Sequence, residues 1–441
     1  MFLFELDYSN LTALDIINIV SFSVLTILSL LTLYRIIFFI IGFFGVKRFK
    51  ETDIRKKYAV VISARNESKT IGNLIDSIHK QDYPQELITI FVVADNCTDN
   101  TAEIAREHGA VVYERFNNEL IGKGYALNLL FKNIEKDYGI QSFDAFIMFD
   151  ADNLLKKDYI TRMNEAHVHG YKILTSYRSV KNFDSNLISG MYGFHQYRNM
   201  RSLHVPRTYL NLSCTVTGTG FLFASETVKN GWDWLLITED IEFSLDKIIE
   251  GYQIGYCHDA VFYDEQPTTV KMMFRQRTRW AKGYLMTFGS RTGQIIKKMF
   301  SRKKPNNKIK RFVYYDMFIQ IFPYSLVVSF WRVLVLIATV IATILMKLDV
   351  EQFFINYGWN LLKNYGVIYL TLLLQVLPVL IVEWKRIPAR NYKKIIYFFF
   401  FPIFDMINII IMTIALFSKP AWKPIIHDDT RNIKHIEKFH K

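Results

Sequence analysis

Uncharged apolar runs stand near both ends of this 441-residue chain and frame a long polar stretch, which points to a membrane-attached architecture. Ile16–Tyr34 carries no Asp, Glu, Lys or Arg, and after Arg35 the run resumes over Ile36–Val46. A membrane crossing needs about 20 apolar residues, so this is at least one transmembrane helix. It has neither a basic leader nor a small-residue cleavage site, so an anchor is expected rather than a cleaved signal. Three further candidates follow: Met317–Met346 interrupted by Arg332, Tyr365–Val382, and Ile395–Ser418 interrupted by Asp405. Composition agrees with this division. The chain is 51% hydrophobic and its mean hydropathy is +0.11 although 22% of its residues are charged, so the apolar residues are concentrated. Disorder and collagen-like structure are excluded by that content. Three scattered cysteines, Cys97, Cys214 and Cys257, make neither a disulfide framework nor a zinc site and fit a reducing compartment.

The net charge of +13 is explained first by positive-inside loops and second by an anionic ligand; nucleic acid is not an expected partner. Lys47, Arg48, Lys50, Arg55, Lys56 and Lys57 follow the first apolar run, and Lys303, Lys304, Lys308, Lys310 and Arg311 precede the second. Both flanks are therefore expected on the cytoplasmic side of the cell membrane. Four parts result: an N-terminal transmembrane region (1–46), a cytosolic domain (47–311), a C-terminal transmembrane region (312–418) and a basic tail (419–441). The tail conflicts with the positive-inside rule if Ile395–Ser418 crosses fully. Pro402 and Asp405 leave room for a re-entrant or interfacial segment instead, and both alternatives stay open.

The first part of the cytosolic domain alternates strand and helix patterns. Buried-strand runs occur at Tyr58–Ser63, Ile88–Ala94, Val111–Tyr113 and Asp144–Phe149; helical spacing occurs at Lys69–Gln81, from Thr101, and over Tyr125–Ile134. This rhythm predicts an α/β domain with a mostly parallel, doubly wound sheet. Polar clusters follow the strands directly: Arg65-Asn66-Glu67, Asp95-Asn96, and Asp150-Ala151-Asp152. Ligands of open α/β sheets bind beyond the carboxyl ends of the strands, so the clusters point at one crevice.

Alternation sends the side chains of Asp150 and Asp152 to one side of their strand end. Two hard carboxylates so placed suit Mg²⁺ or Mn²⁺, whose shell is often completed by phosphate oxygens, while the simpler alternative is a turn. Asp95 ends its own strand and is spare for a base or ribose, because Thr98 or Asp99 can cap the next helix. Lys123-Gly124 opens a helix, where backbone N–H groups and the dipole favour an anion. Thr238 can cap the helix that follows it, which leaves Glu239 and Asp240 unexplained; one of them suits the general base of a transfer reaction. In the helical segment around Arg275–Trp280, Gln276 and Arg279 share one face. They could hold a diphosphate while Trp280 stacks on a sugar; an amphipathic helix on an anionic membrane is the competing account.

These clusters, in this order, resemble glycosyltransferase family 2. The likeness is greatest to the membrane-integrated synthases of cellulose, chitin, hyaluronan and poly-N-acetylglucosamine. It rests on Val61–Glu67, Asp95, Lys123–Asn128, Asp150-Ala151-Asp152, Thr238-Glu239-Asp240 and Gln276–Trp280, and spans nearly the whole cytosolic domain. The resemblance implies a GT-A-type (Rossmann-like) fold, a nucleotide-sugar donor, usually UDP-linked, and inversion to a β-linkage. It implies that Ala64, Asn66 and Glu67 belong to the donor site, that Asp95 contacts uracil or ribose and that Lys123 contacts the diphosphate. Asp150 and Asp152 would hold the metal-bound pyrophosphate. Asp240, beside Glu239, would be the base, and Gln276, Arg279 and Trp280 would bind pyrophosphate and the acceptor end. Asn96 departs from the family, many members of which have a second acid there. The implied product is a β-linked polysaccharide; export across the membrane is expected because Gln320, Arg332, Gln375 and Asp405 are polar residues a lipid-facing helix should avoid, and with Tyr324, Trp331 and Tyr369 they could line a path for it. Against that path stands the alternative that Arg332 and Asp405 pair with each other or snorkel. Transfer of one sugar to a membrane lipid is the second functional reading. A non-catalytic binding protein is the third, and the intact acidic set speaks against it.

Overall fold

The computed structural model describes residues 11–301, 309–419, 427 and 429–437. Eight strands form one sheet: β1 Tyr58–Ala64, β2 Ile88–Asp95, β3 Val111–Arg115, β4 Ala145–Asp150, β5 Leu154–Leu155, β6 Ile173–Val180, β7 Phe221–Ala224 and β8 Ile254–Asp264. Their order is β3-β2-β1-β4-β7-β6-β8-β5. The first four are parallel, as the sequence predicts. β7 then runs antiparallel to both β4 and β6, so the second half is mixed rather than parallel. β1 shows why the sheet is buried on both faces. Tyr58, Val60, Ile62 and Ala64 pack with the helices Ile71–His79 and Tyr159–Val168, whereas Ala59 and Val61 face Leu127, Leu130 and Phe131 of the helix Lys123–Asp137.

Four helices are long and apolar enough to cross a membrane among the described residues: Ala13–Phe44, Tyr324–Leu345, Val350–Glu383 and Asn391–Phe417. The run expected over Met317–Met346 is two helices. Phe322 is extended before Pro323, which cannot donate to a helix and pushes its predecessor out of helical geometry, so Arg311–Ile321 ends there and a new helix begins at Tyr324. The shorter helix folds onto the central domain. Its Asp316 is fully buried and accepts from Arg207 Nε at 2.7 Å and from the Tyr34 hydroxyl at 2.7 Å.

Asp405 pairs with Arg198, which donates to it at 2.6 Å, and not with Arg332, which is exposed. The pairing expected within the apolar region is thereby corrected: the acid is neutralised by the central domain. The last apolar helix, Asn391–Phe417, is bracketed by contacts to the central domain. Just before it, Arg386 donates to His258 at 2.6 Å and Arg390 pairs with Asp184 at 3.3 Å. Beyond it, His427 reaches Glu67 at 2.9 Å. Between those points it packs along the helices Leu187–Asn199 and Val270–Met299. The helix thus packs along the central domain over much of its length. The basic residues Lys303, Lys304 and Lys308, and most of the tail, lie outside the described residues.

A tag fused after Lys441 should therefore be reached by protease from the same membrane face as the exposed loop at Glu119. Cleavage of the tag from the face opposite that loop would refute the arrangement.

Candidate active site

The carboxyl ends of β1, β2 and β4 open onto a cleft of about 330 Å³. Of the residues singled out in the sequence, Glu67, Asp95, Lys123, Asp150, Asp152, Glu239, Asp240, Gln276, Arg279 and Trp280 all line it. Ala64 and Asn66 do not. Ala64 is buried under Cys97, and Asn66 takes a left-handed φ of 57° and accepts the Thr98 N–H at 2.8 Å, so both shape the loop. Asp99 stabilises the start of the next helix, accepting from the Thr101 N–H at 3.1 Å, and this leaves Asp95 free of that duty. Asn96 sits at φ 52° and exchanges hydrogen bonds with Asn117 at 2.7 and 2.9 Å. The side chain both accepts from and donates to Asn117, which an amide can do and a carboxylate cannot.

Asp95 is buried and pairs with Arg115 at 2.6 Å. Burial pushes its carboxyl upward, and the Arg115 guanidinium opposes the shift. Lys123, at the first turn of its helix, donates to the Gly218 carbonyl at 2.7 Å, pairs with Asp150, and lies 3.8 Å from Glu239. Burial works against its charge, but Asp150 and Glu239 outweigh it and keep the ammonium protonated. Glu239 and Asp240 form the first turn of the helix Glu239–Glu250, and burial raises both carboxyls above their usual range. Thr238 precedes that turn but its hydroxyl makes no cap bond, contrary to expectation. Two glycines let helices close on these groups. A Cβ on Gly124 would fall 2.3 Å from the Trp234 carbonyl oxygen, and one on Gly283 would fall 2.3 Å from Thr238 Cγ2.

Sequence reasoning missed three participants. Arg178, at the end of β6, donates to Asp264 of β8 at 2.6 Å, and both line the cleft. Asp264 is pushed up to about 6, by burial first and against the pull of Arg178. A strand-terminal arginine was a faint signal for this pair. His427 also lines the cleft, and no local pattern marks it. Burial lowers its basicity, but Asp152 and Glu67 more than offset this and lift it to about 10.

Eight carboxylates and four Lys or Arg side chains line the cleft. A nucleoside diphosphate would meet a net negative wall there unless a divalent cation intervened. Asp150 and Asp152 are the fitting oxygen donors, although Asp152 Oδ2 already accepts the Glu265 N–H at 2.8 Å. Among the described residues no cluster of three protein ligands exists, so a cation would take its remaining donors from phosphate and water.

A family model described as "Glycosyltransferase like family 2" matches residues 55–283. The chain is 26% identical over 238 residues to the probable glycosyltransferase YdaM of Bacillus subtilis, covering 52% of this chain and 55% of that one. It is 28% identical over 237 residues to the poly-β-1,6-N-acetyl-D-glucosamine synthase of Staphylococcus aureus (strain COL), covering 51% and 53%. It thus spans about half the length of these curated relatives. The fold is similar to that of a mannosyltransferase from Pyrobaculum calidifontis, solved with GDP-mannose and Mn²⁺. The TM-score is 0.54 at 15% identity, over 81% of this chain and 97% of that one.

The tight approach at Gly283 gives a paired test on one helix. Gly283→Ala should displace the Thr238-Glu239-Asp240 turn and lower the melting temperature. Gly289→Ala meets nothing within 4 Å and should stabilise by about 0.5–1 kcal/mol through helix propensity. Thermal denaturation of the detergent-solubilised protein checks both; equal shifts would show that the approach is not tight.

Proposed function

Because this chain belongs to the glycosyltransferase-like family 2, we propose that it transfers a sugar from a nucleotide-sugar, UDP-linked, to an acceptor at the cell membrane, with inversion, and so extends a β-linked polysaccharide. The observation that carries this reading is the convergence of Lys123, Asp150-Ala151-Asp152, Glu239-Asp240 and Gln276/Arg279/Trp280 on one cleft. The relative that makes poly-N-acetylglucosamine supports a polymer product. The Lys and Arg flanks support a cytoplasmic domain that draws on cytoplasmic donor.

In this mechanism Asp240 accepts the proton of the acceptor hydroxyl, whose own pKa lies far above neutrality. The freed oxygen forms a bond to the anomeric carbon from the face opposite the diphosphate. The bond from that carbon to the phosphate oxygen breaks, and its electron pair stays on the departing diphosphate. Lys123 and Arg279 hold that growing negative charge. Glu239, beside the Lys123 ammonium, keeps the lysine charged and placed. A divalent cation at Asp150 and Asp152, when bound, supplies further neutralisation of the diphosphate. Trp280 offers a ring face to the acceptor sugar.

A second reading has a specific observation in its favour. The cleft reaches Gln320 but is not lined by Tyr324, Trp331, Arg332, Tyr369, Gln375 or Asp405, the residues expected to line an export path. A short acceptor bound at the membrane face, such as a glycolipid, suits that geometry. Product analysis separates the two: a ladder or long chains for polymer synthesis, one added sugar on lipid for the alternative.

Purified protein given a panel of UDP-sugars should release UDP with at least one of them, and a panel without turnover would defeat the proposal. Asp240→Asn should abolish transfer while leaving UDP binding within a few-fold. The raised carboxyls at 239 and 240 set the sign of the pH dependence. The base form is lost as pH falls, and the acid limb of kcat/KM should lie above the ordinary aspartate value of about 3.9. An acid limb at or below that value would dismiss Asp240 as the base.

Transfer should also stop on chelation and return with Mg²⁺ or Mn²⁺, and Asp152→Ala should mimic the chelated state. Full activity in excess EDTA would count decisively against a cation at this pair.

A further inference from the structure

The loop 215–220 leads into β7 and is tied to both halves of the cleft. On one side, Thr219 Oγ1 accepts from the Asp150 N–H at 2.9 Å and the Gly220 N–H donates to the Met148 carbonyl at 2.8 Å, which fixes the loop to the end of β4. On the other, the Val216 N–H donates to Ser244 Oγ at 2.9 Å. That hydroxyl donates to the Asp240 carbonyl at 2.7 Å, one turn back along the helix of the candidate base. Between these anchors the backbone turns at Gly218, φ 73°, where a Cβ would stand 3.6 Å from Asp240 Oδ2. Two cations hold consecutive carbonyls there. Lys123 donates to that of Gly218 at 2.7 Å, and Arg178 Nη1 to that of Thr217 at 3.1 Å. Arg178 is braced on its other edge by Asp264, which is buried and also accepts from Gln266 Nε2 at 2.5 Å.

We propose that Arg178, braced by Asp264, is a positioning residue of the transfer reaction: it holds the loop 215–220 so that the gap between the D-x-D turn and Asp240 keeps its width while Lys123 serves the diphosphate. The inference rests on the reading of the cleft given under Proposed function. In that reading the Lys123 ammonium turns to the departing diphosphate, a stronger partner than a neutral carbonyl, and its grip on Gly218 weakens. Arg178 has no second duty of that kind. Its Nε and Nη2 are committed to Asp264 and its Nη1 to Thr217. A guanidinium suits this post because its planar fork presents donors on two edges at once, whereas an ammonium is a single point. Gly218 needs the support. A glycine at positive φ has many other conformations open to it and no side chain to pin it, so its place beside Asp240 depends on the bonds its neighbours make.

The test uses the full chain in lipid nanodiscs, with UDP as the probe of binding by calorimetry and kcat and KM taken for whichever UDP-sugar the wild type turns over. Arg178→Ala should lower kcat about 100-fold, the loss expected for a misplacement of about 1 Å near the reacting atoms, and leave UDP binding within about threefold. Arg178→Lys reaches Asp264 or Thr217 but not both, so its kcat should stand between the two, at least about threefold below wild type. Gly218→Ala changes no charge but strains the turn, and should show the same split, with kcat lowered and UDP binding kept. UDP binding weakened more than about threefold in Arg178→Ala overturns the inference, marking the guanidinium as a direct diphosphate contact or a merely structural group. A kcat within about threefold of wild type in Arg178→Ala, or in Arg178→Lys should the alanine variant fail to fold, also overturns it and leaves the transferase reading intact. Wild-type protein that binds no UDP and turns over no UDP-sugar defeats the reading of the cleft and this inference with it.

Discussion

Three arginines on one helical run fix where the later helices sit on the central domain. The run comprises Leu187–Asn199, the π-helical turn Met200–His204 and Val205–Tyr209. Arg198 meets Asp405, Arg201 meets Glu383, and Arg207 meets Asp316, each acid lying on a different later helix. Glu383 and Asp316 are completely buried, and each also accepts from a tyrosine, Tyr177 or Tyr34, at 2.7 Å. Such pairs add little to net stability, because desolvation consumes much of the attraction. Their effect is selective. Removing one partner leaves a bare buried charge at a cost of about 3–5 kcal/mol, so each helix is held to one seat on the domain. The same run lines the cleft with His195, Gln196 and Asn199, which joins the seating of the apolar helices to the shape of the site.

Within the cleft, charge is ordered by distance from Lys123. The lysine touches Asp150 and approaches Glu239, bridging the end of β4 to the helix that bears the candidate base. Both supports are backbone-deep. Gly124 sets the start of the lysine's helix against the Trp234 carbonyl, and Gly283 seats the long helix Val270–Met299 against Thr238. Asp95 and Asp264 each have an arginine of their own, Arg115 and Arg178, and are thereby fixed in orientation. Glu67 is held by His427 and Glu265 by Lys181, so most of the acidic wall is fixed before any ligand enters.

What was legible in the sequence follows contact range. β1, β2 and β4 were visible because each is a short apolar run ending in a polar cluster, and their register puts Asp95 and Asp150 at the ends of the two strands that flank β1. β6 to β8 were not. β7 is a four-residue run held in an antiparallel place by partners far away in the chain, such as Ala145 with Ala224, 79 positions apart, which no local pattern encodes. Asp405 was misjudged for the same reason: an acid in an apolar helix suggests a wet path until Arg198, 207 residues earlier, is seen beside it. Ala64 and Asn66 belong to the same cluster, but the members that line the cleft are Arg65 and Glu67, on either side of the loop residue at φ 57°. His427 had no signal at all, because its neighbours in sequence are not its neighbours in space.

The segment Arg275–Trp280 shows how one short pattern serves two interfaces. Each residue of a helix advances about 100° around its axis, so positions three or four apart share a face while positions two apart oppose. Gln276, Arg279 and Trp280 accordingly face the cleft. Arg277 points the other way, donating to the Phe404 carbonyl at 2.7 Å with its guanidinium 4.1 Å from the Phe404 ring. Ala281 continues that second face against Ile411 and Ala415. The amphipathic pattern that suggested a helix lying on lipid is here satisfied by protein on both sides. Cations at 277 and 279 therefore have different surroundings, the Phe404 carbonyl for one and the cleft for the other.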